Sequence, residues 1–228
     1  MTTLEAMPET RAQILRLLKA RGHGTLGELA GELDGTTVNA RQQLAALIKS
    51  GWVPRIKPRE PQGKGRPPVE YALTDAGDHL FEKNYDSLSL MLIETLQARF
   101  GDDALLTAME SITDSNVAQW DKALRGKSLH KRLETLKGIY FADDPHTFVE
   151  THDDGPRLVE TNCPYLHVAQ REPRMCSITL STLSRLLGYR VVREQRFQDG
   201  DRRCVFRVCQ DQPVDPATFR FALEDGDT

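Results

Sequence analysis

The chain has 228 residues, of which 39 % are hydrophobic and 28 % charged, a composition that fits one large or two small globular domains and excludes intrinsic disorder. A formal net charge of -3 gives the chain as a whole no preference for nucleic acid. No apolar run approaches the roughly 20 residues of a membrane span, the first residues lack a signal-peptide pattern, and four cysteines are too few for a secreted disulfide scaffold. We therefore expect a cytoplasmic protein without a membrane partner.

Three short helices are predicted within the first fifty residues. The first covers residues 10–21, and a second begins at Thr25 and ends near Gly35. A third opens at Thr36 or Thr37 and ends at Gly51, with a predicted buried stripe of Val38, Leu44, Leu47 and Ile48. Because the connections are short, these helices should pack closely as a helix-turn-helix core.

The segment after the third helix resembles a wing. An apolar strand at Trp52 and Val53 leads into a basic loop over residues 54–68, and an alternating strand follows over residues 69–73. From Arg41 to Arg66 the chain has seven basic residues and one acidic residue. We therefore predict that residues 1–78 form a winged helix-turn-helix domain.

The outward positions of the third helix and the basic loop predict a surface for double-stranded DNA. Amide, hydroxyl and guanidinium groups can read base edges in the major groove, and loop cations can contact phosphates or the minor groove. An ordinary solvated helix face is the alternative, but it leaves the adjacent basic loop without explanation. The predicted DNA-binding residues are Thr36, Thr37, Asn39, Arg41, Gln42, Gln43, Arg55, Lys57, Arg59, Lys64 and Arg66.

The middle of the chain, residues 79–140, is predicted to be a helical linker and dimerisation region. A long helix over residues 79–100 stacks three leucines four residues apart, Leu88, Leu92 and Leu96. Its apolar surface extends beyond one stripe, which favours a homodimer. Residues 103–141 continue as helix with an interruption near Gly126.

The apolar period changes to two near Phe148, which predicts an α+β sensor domain over residues 141–210. The fold class predicted for the whole chain is thus mainly α with α+β parts. Residues 211–228 carry five acidic residues and one arginine, and we expect them to form a loose acidic tail.

Three cysteines in this predicted domain are spaced C-x12-C-x27-C. Cys163 precedes Pro164, which predicts Cys163 as the N-cap of a short helix whose dipole lowers the thiol pKa. Cys176 begins the inner face of another helix, and Cys204 begins a strand. Soft thiolates from three elements suit an iron-sulfur cluster, whereas the lack of a C-x2-C pair argues against a zinc ribbon or finger.

The residues alone leave alternatives open. Each cysteine taken singly can be a core residue, and a disulfide is a second option. Cys209 lies five residues after Cys204 and should face the other side of a regular strand. His167, one helical turn after Cys163, is a candidate fourth ligand, and ligation by water or a small thiol is equally open.

Two segments carry a resemblance to a known family. The sequence ETNCPYLHVAQREPRMCSITLSTLSRLLGYRVVREQRFQDGDRRCVFRV resembles the C-terminal region of SufR-type iron-sulfur transcriptional regulators, and GKGRPPVEYALTDAG is similar to their N-terminal domain. The resemblance implies that Cys163, Cys176 and Cys204 hold a [4Fe-4S] cluster and that a dimer represses genes for iron-sulfur cluster assembly. The extra cysteine of some members has no match here, because Cys209 falls after the motif.

The expected function is a DNA-binding transcriptional regulator whose operator affinity depends on the cluster. The main alternative is a winged-helix regulator that senses by thiol oxidation or by a small ligand. We expect no enzymatic activity, because no nucleophile with a base, phosphate-binding glycine loop or pair of carboxylates stands out.

Overall fold

The chain divides into two compact units, residues 1–84 and residues 85–228. The boundary between them follows Asn84, whereas the sequence predicted that the first domain ends at residue 78. It is about 53 % helical with two small antiparallel sheets, a mixed α+β class. No helix in the described part of the chain is long and apolar enough to cross a lipid bilayer. The computed structural model describes residues 4–33, 36–57, 68–142, 144 and 146–224.

The described residues of unit 1, residues 1–84, form four helices: α1 (Glu9–Arg21), α2 (Leu26–Gly31), α3 (Thr37–Lys49) and α4 (Asp75–Asp78). The side chain of Thr25 accepts a hydrogen bond from the Glu28 amide at 3.3 Å, and the Glu28 carboxylate accepts one from the Thr25 amide at 2.7 Å. Thr36 caps α3 by accepting from the Asn39 amide at 3.2 Å. The predicted helix starts are thus confirmed.

A three-stranded antiparallel sheet completes unit 1, with strands β1 (His23–Thr25), β2 (Arg55–Ile56) and β3 (Glu70–Ala72) in the order β1-β3-β2. The sequence did not predict β1, because three residues between two helices are too few to show an alternating pattern. The expected strand at Trp52 and Val53 is wrong. That segment leads into β2, and buried Val53 joins the core.

The core of unit 1 joins all three longer helices to β3 through twelve buried apolar side chains, among them Ile14, Leu15, Leu18, Leu29, Leu44, Leu47 and Tyr71. The prediction that Val38 belongs to the buried stripe is wrong, because its side chain is 73 % exposed. Ala40, Leu44 and Leu47 recur at helical spacing on the inner face of α3. Val38 precedes Ala40 by two residues, which places its side chain about 200° away around the helix axis, so it faces outward.

Unit 2, residues 85–228, contains five α-helices in its described part: α5 (Tyr85–Phe100), α6 (Asp102–Leu124), α7 (Leu129–Ile139), α8 (Leu166–Arg171) and α9 (Cys176–Leu187). The predicted long helix begins at Tyr85 instead of residue 79. The interruption near Gly126 is confirmed, since Gly126 has φ +72° in the turn between α6 and α7.

The sheet of unit 2 has the strand order β4-β5-β7-β6, formed by β4 (Phe148–Glu150), β5 (Arg157–Glu160), β6 (Tyr189–Gln195) and β7 (Cys204–Pro213). Strands β4 and β5 pair antiparallel, and β4 begins at Phe148, where the apolar period of two begins. Leucines of α6, α7 and α9 pack with strand side chains in one apolar core. Complete burial of one such residue, Leu183, contributes about 2 kcal/mol.

The expectation of a loose tail from residue 211 is wrong over the described residues 211–224. Strand β7 continues to Pro213, and the Val214 amide donates to the Gly188 carbonyl at 3.0 Å. Phe221 then packs against a cluster of Leu105, Met109 and Ile178. The polar composition of the segment concealed this docking, which rests on a few contacts, among them those of Phe221 and the ion pair between Glu224 and Arg193.

Candidate functional site

The outward face of α3 is the first candidate surface. Thr37, Arg41 and Gln42 are exposed there, in agreement with the positions expected to read DNA. Exposed Val38 lies beside Arg41 and Gln42 at spacings of three and four residues, and sequence reasoning had assigned it to the core. Its methyl groups suit apolar contact with a thymine methyl group.

Three other residues predicted for DNA binding have roles within the fold. The guanidinium of Arg11 on α1 donates to Gln43 at 2.8 Å, and the Gln43 amide donates to Asn39 at 3.2 Å. Thr36 caps α3. These contacts fix α3 against α1 and engage polar groups that base readout would need.

The basic segment is only partly described. Arg55 lies in β2 opposite Tyr71, and both Arg55 and Lys57 are exposed. The other predicted loop cations, Arg59, Lys64 and Arg66, lie outside the described residues.

The cysteine pocket, which we define as the region around Cys163, Cys176 and Cys204, is the second candidate site. Cys163 follows β5, Cys176 is the first residue of α9, and Cys204 is the first residue of β7. Each pair of these thiols interacts electrostatically: ionisation of Cys176 or Cys204 raises the pKa of Cys163, and ionisation of Cys176 raises the pKa of Cys204. The fold thus brings together three groups that are distant in sequence.

Each sulfur of the cysteine pocket accepts a hydrogen bond from nitrogen. The Tyr165 amide donates to Cys163, the Phe197 amide donates to Cys204, and the Gln198 side-chain amide donates to Cys176 at 3.1 Å. Two of these donors lie on one 3₁₀ turn, Phe197–Asp199. Hydrogen bonds from N–H groups stabilise sulfur as the thiolate and tune the potential of iron-sulfur centres.

Burial opposes this stabilisation at two of the sulfurs. Desolvation raises the pKa of Cys163 to about 12 and that of Cys204 to about 11. The prediction that Cys163 caps a helix and has a lowered pKa is therefore wrong. Helix α8 begins three residues later at Leu166, with Tyr165 at its N-cap, so the helix dipole does not act on Cys163 as expected.

Two buried carboxylates lie near this pocket. Glu160 stands directly opposite Cys204 in the β5–β7 pairing, and burial raises its pKa to about 7. Asp144 accepts hydrogen bonds from the Thr161 and Asn162 amides at 2.5 and 2.9 Å. Asp144 therefore positions the turn that leads to Cys163. The sequence signal for both was weak, since Glu160 is a single acid in an apolar segment and nothing distinguishes Asp144 from the adjacent Asp143.

Arg193 on β6 links the pocket to the C-terminal segment. Its side chain is 3 % exposed and hydrogen-bonds Cys176. Its Nε donates to Glu224 at 3.0 Å, and its Nη2 makes a second contact with the same carboxylate. The sequence offers nine arginines between residues 163 and 209 and does not distinguish Arg193 among them.

Other residues considered for the site lie elsewhere. Nδ1 of His167 is 2.8 Å from Asp86 on α5, and the His167 side chain is 75 % exposed. Cys209 is buried opposite Arg190, five residues beyond Cys204. The structure therefore pairs His167 with a carboxylate rather than with the three sulfurs.

The donor set of the pocket fits a thiophilic metal, although the sulfurs are not arranged around a metal position. All four cysteines are free thiols. In the part of the chain that the structure describes, no group of three or more His, Cys, Asp or Glu residues is placed to hold a metal ion. Soft sulfur donors with N–H partners remain chemically suited to iron or zinc.

Known protein families and curated proteins provide no match to this chain.

Proposed function

We propose that the chain is a DNA-binding transcriptional regulator, a repressor of genes for iron-sulfur cluster assembly, whose operator affinity is controlled by a [4Fe-4S] cluster. The observation that carries this proposal is the cysteine pocket, where three sulfurs from separate elements interact with one another and each accepts an N–H hydrogen bond. Cys163, Cys176 and Cys204 would hold the cluster.

The electrostatics of the pocket supports a metal as the occupant. The raised pKa values of half-buried Cys163 and buried Cys204 keep both thiols protonated at neutral pH, whereas coordination of a metal cation would release their protons. Arg193, which is also paired with Glu224, would offset part of the negative charge of a bound iron-sulfur cluster and its thiolates. When bound, the cluster supplies redox chemistry and a cross-link between the segments that carry the cysteines.

DNA binding is proposed for unit 1 as a winged helix-turn-helix domain. Three packed helices and a small antiparallel sheet support this assignment. Helix α3 would enter the major groove with Thr37, Val38, Arg41 and Gln42, while the segment from Arg55 onward would act as the wing and contact phosphates.

A homodimer is proposed through α5. This helix lies entirely within the described residues, and none of its residues is buried. Leu88, Met91 and Leu92 are each more than half exposed and share one face at spacings of three and four residues. Pairing of two such faces would remove this apolar surface from water and give a repressor for two half-sites roughly 34 to 36 Å apart.

The second candidate function is a regulator that responds to direct thiol oxidation. It is supported by the free thiols and by Cys176, whose sulfur is in contact with Arg193 and Gln198. The raised pKa values of Cys163 and Cys204 weigh against it, because the thiolate is the form that reacts with oxidants.

The test is an operator titration of two forms of the full chain at one fixed salt concentration. The operator is first selected from a pool of random-sequence duplex DNA with anaerobically reconstituted protein. We expect the loaded form to bind about 100-fold more tightly than the metal-free form, a coupling of about 2.7 kcal/mol. Equal affinities would overturn regulation by the cluster, and a response of metal-free protein to peroxide would favour thiol oxidation.

A further inference from the structure

The segment that follows β7, residues 214–224, lies against unit 2, and we call it the C-terminal strap. All of its residues are described, and they form neither a helix nor a strand. At its start the Val214 amide is bound, and at its end the Glu224 amide donates to the buried hydroxyl of Ser177 at 2.9 Å. A cavity of about 390 Å³ lies between the strap, α9 and β6. Because it crosses a cavity without regular secondary structure, the strap should detach at a lower free energy than the sheet unfolds.

The side chain of Glu224 is the charged end of the strap. Its carboxylate accepts from Nε of Arg193 at 3.0 Å and also contacts Nη2 of the same guanidinium. Nη1 of Arg196 lies 3.9 Å from this carboxylate. The Arg193 side chain is only 3 % exposed, and a buried charge that loses its partner is left uncompensated. Glu224 therefore neutralises Arg193 while the strap is docked.

Both attachments of Glu224 lie beside Cys176. Ser177, which binds the Glu224 amide, directly follows Cys176 at the start of α9. Arg193, which binds the Glu224 carboxylate, also contacts the sulfur of Cys176, and the Gln198 side-chain amide donates to that sulfur at 3.1 Å. Glu224 and a Cys176 thiolate are thus two anions that would share one buried guanidinium.

This shared guanidinium makes the docked strap oppose ionisation of Cys176. A nearby cation favours a thiolate, whereas a nearby anion disfavours it. Glu224 supplies the anion and engages the cation at the same time. Because the thiolate is the form that reacts with electrophiles and oxidants, the docked strap should slow the reactions of Cys176. The coupling is reciprocal, so an anion at Cys176 should in turn weaken docking of the strap.

We propose that the C-terminal strap is an autoinhibitory element that restrains the reactivity of Cys176, and that release of Glu224 from Arg193 removes this restraint. Cys176 is partly exposed, so a reagent in solution can reach its sulfur. The inference goes beyond the proposed function and does not rest on it, because it concerns the chain without a metal.

The test is the rate at which each cysteine of metal-free, reduced, full-length protein reacts with iodoacetamide, measured by mass spectrometry of the peptides. Glu224→Gln removes the charge of the strap at nearly constant size. Phe221→Ala removes an apolar anchor of the strap and leaves every charge in place. Asp211→Asn is the matched control, because it removes one carboxylate from an exposed position of β7. Cys209, which is buried in β7, reports any general loosening of the fold.

We expect Cys176 to react at least about threefold faster in Glu224→Gln and in Phe221→Ala than in wild type. The reason is that about a tenfold larger thiolate fraction is offset in part by the lower nucleophilicity of a better stabilised thiolate. Asp211→Asn should match wild type, and Cys209 should react at the same rate in all four proteins. An unchanged Cys176 rate in either strap variant, or an equal gain in Asp211→Asn or at Cys209, overturns the inference. Since no metal enters this test, its failure leaves regulation by a cluster untouched.

Discussion

Among the described residues, burial raises the pKa of acidic groups in unit 2 but of none in unit 1. In unit 1 the described carboxylates with shifted pKa values, Glu28 and Asp78, lie at the surface, where hydrogen bonds lower their pKa values. In unit 2 the pKa values of Glu160, Cys163 and Cys204 are raised by burial. Glu28 and Asp78 of unit 1 therefore stay ionised at neutral pH, whereas Cys163 and Cys204 of unit 2 are protonated there and would lose their protons to a bound metal.

The largest effect should separate two sulfurs of the same strand. Cys204 and Cys209 are both buried in β7, but only Cys204 belongs to the cysteine pocket. We expect Cys204→Ala to lower iron retained after reconstitution and desalting at least about tenfold, because a metal ligand is lost. Cys209→Ala should load like wild type, and equal loading of both variants would remove the distinction between the two sulfurs.

The next effect concerns the stability of the segment that carries Cys163. Asp144→Ala leaves the Thr161 and Asn162 amides without their acceptor, so we expect the free energy of unfolding of metal-free protein to fall by about 2 kcal/mol. Urea denaturation followed by tryptophan fluorescence, to which Trp120 of unit 2 contributes, measures it. Asp153→Ala in the exposed hairpin turn is the control and should change stability by less than about 0.5 kcal/mol.

The pH dependence of that loss follows from the ionisation of Asp144. Burial would raise the pKa of Asp144, but hydrogen bonds from the backbone amides of Thr161, His146 and Asn162 lower it below its usual value. Its contribution is therefore present above about pH 4 and lost as the pH falls through the folded-state pKa. The stability gap between wild type and Asp144→Ala should shrink in acid, and a gap that widens there would contradict this origin.

A smaller effect is expected at the candidate reading face. Arg41→Ala should weaken binding to the selected operator about tenfold and relax its base preference, because one arginine contact to a base discriminates by roughly 1 to 3 kcal/mol. Arg16→Ala on α1, where Arg16 pairs with Glu9, should change affinity less than about twofold. Equal losses of operator affinity in the two variants would indicate that only the positive charge matters and would argue against α3 as the reading helix.

The smallest effect should separate two neighbouring glutamines of α3. Gln43 accepts from Arg11, so Gln43→Ala should cost about 1 kcal/mol of stability and change operator affinity less than about twofold. Gln42 is exposed, so Gln42→Ala should lower operator affinity and leave the free energy of unfolding unchanged. Denaturation and operator titration on both variants measure this, and a reading role for Gln43 would appear as lost affinity in its alanine variant.

Sequence patterns predicted the helices that are determined by neighbouring residues, through a capping side chain or a regular apolar spacing. Thr25 and Thr36 cap helices as expected, and the leucine spacing after Cys176 predicts α9. Strand β1 and the docked C-terminal segment could not be predicted, because pairing with β3 and contact of Phe221 with a distant cluster create them.

The candidate site shows the same limit at the level of side chains. The cysteine spacing identified Cys163, Cys176 and Cys204, but sheet register brings Glu160 to Cys204. Arg193 reaches Cys176 and Glu224 through contacts remote in sequence. A single sequence does not reveal such pairings. Nor does it show that burial dominates the pKa of Cys163, which the helix dipole was expected to lower.

The most direct test of the central claim is the amount of iron and acid-labile sulfide bound per wild-type chain after anaerobic reconstitution, together with the absorption spectrum. The account predicts a brown protein with about four irons and about four sulfides per chain and absorption from sulfur-to-iron charge transfer. A colourless, folded protein that binds one metal ion or none would contradict it.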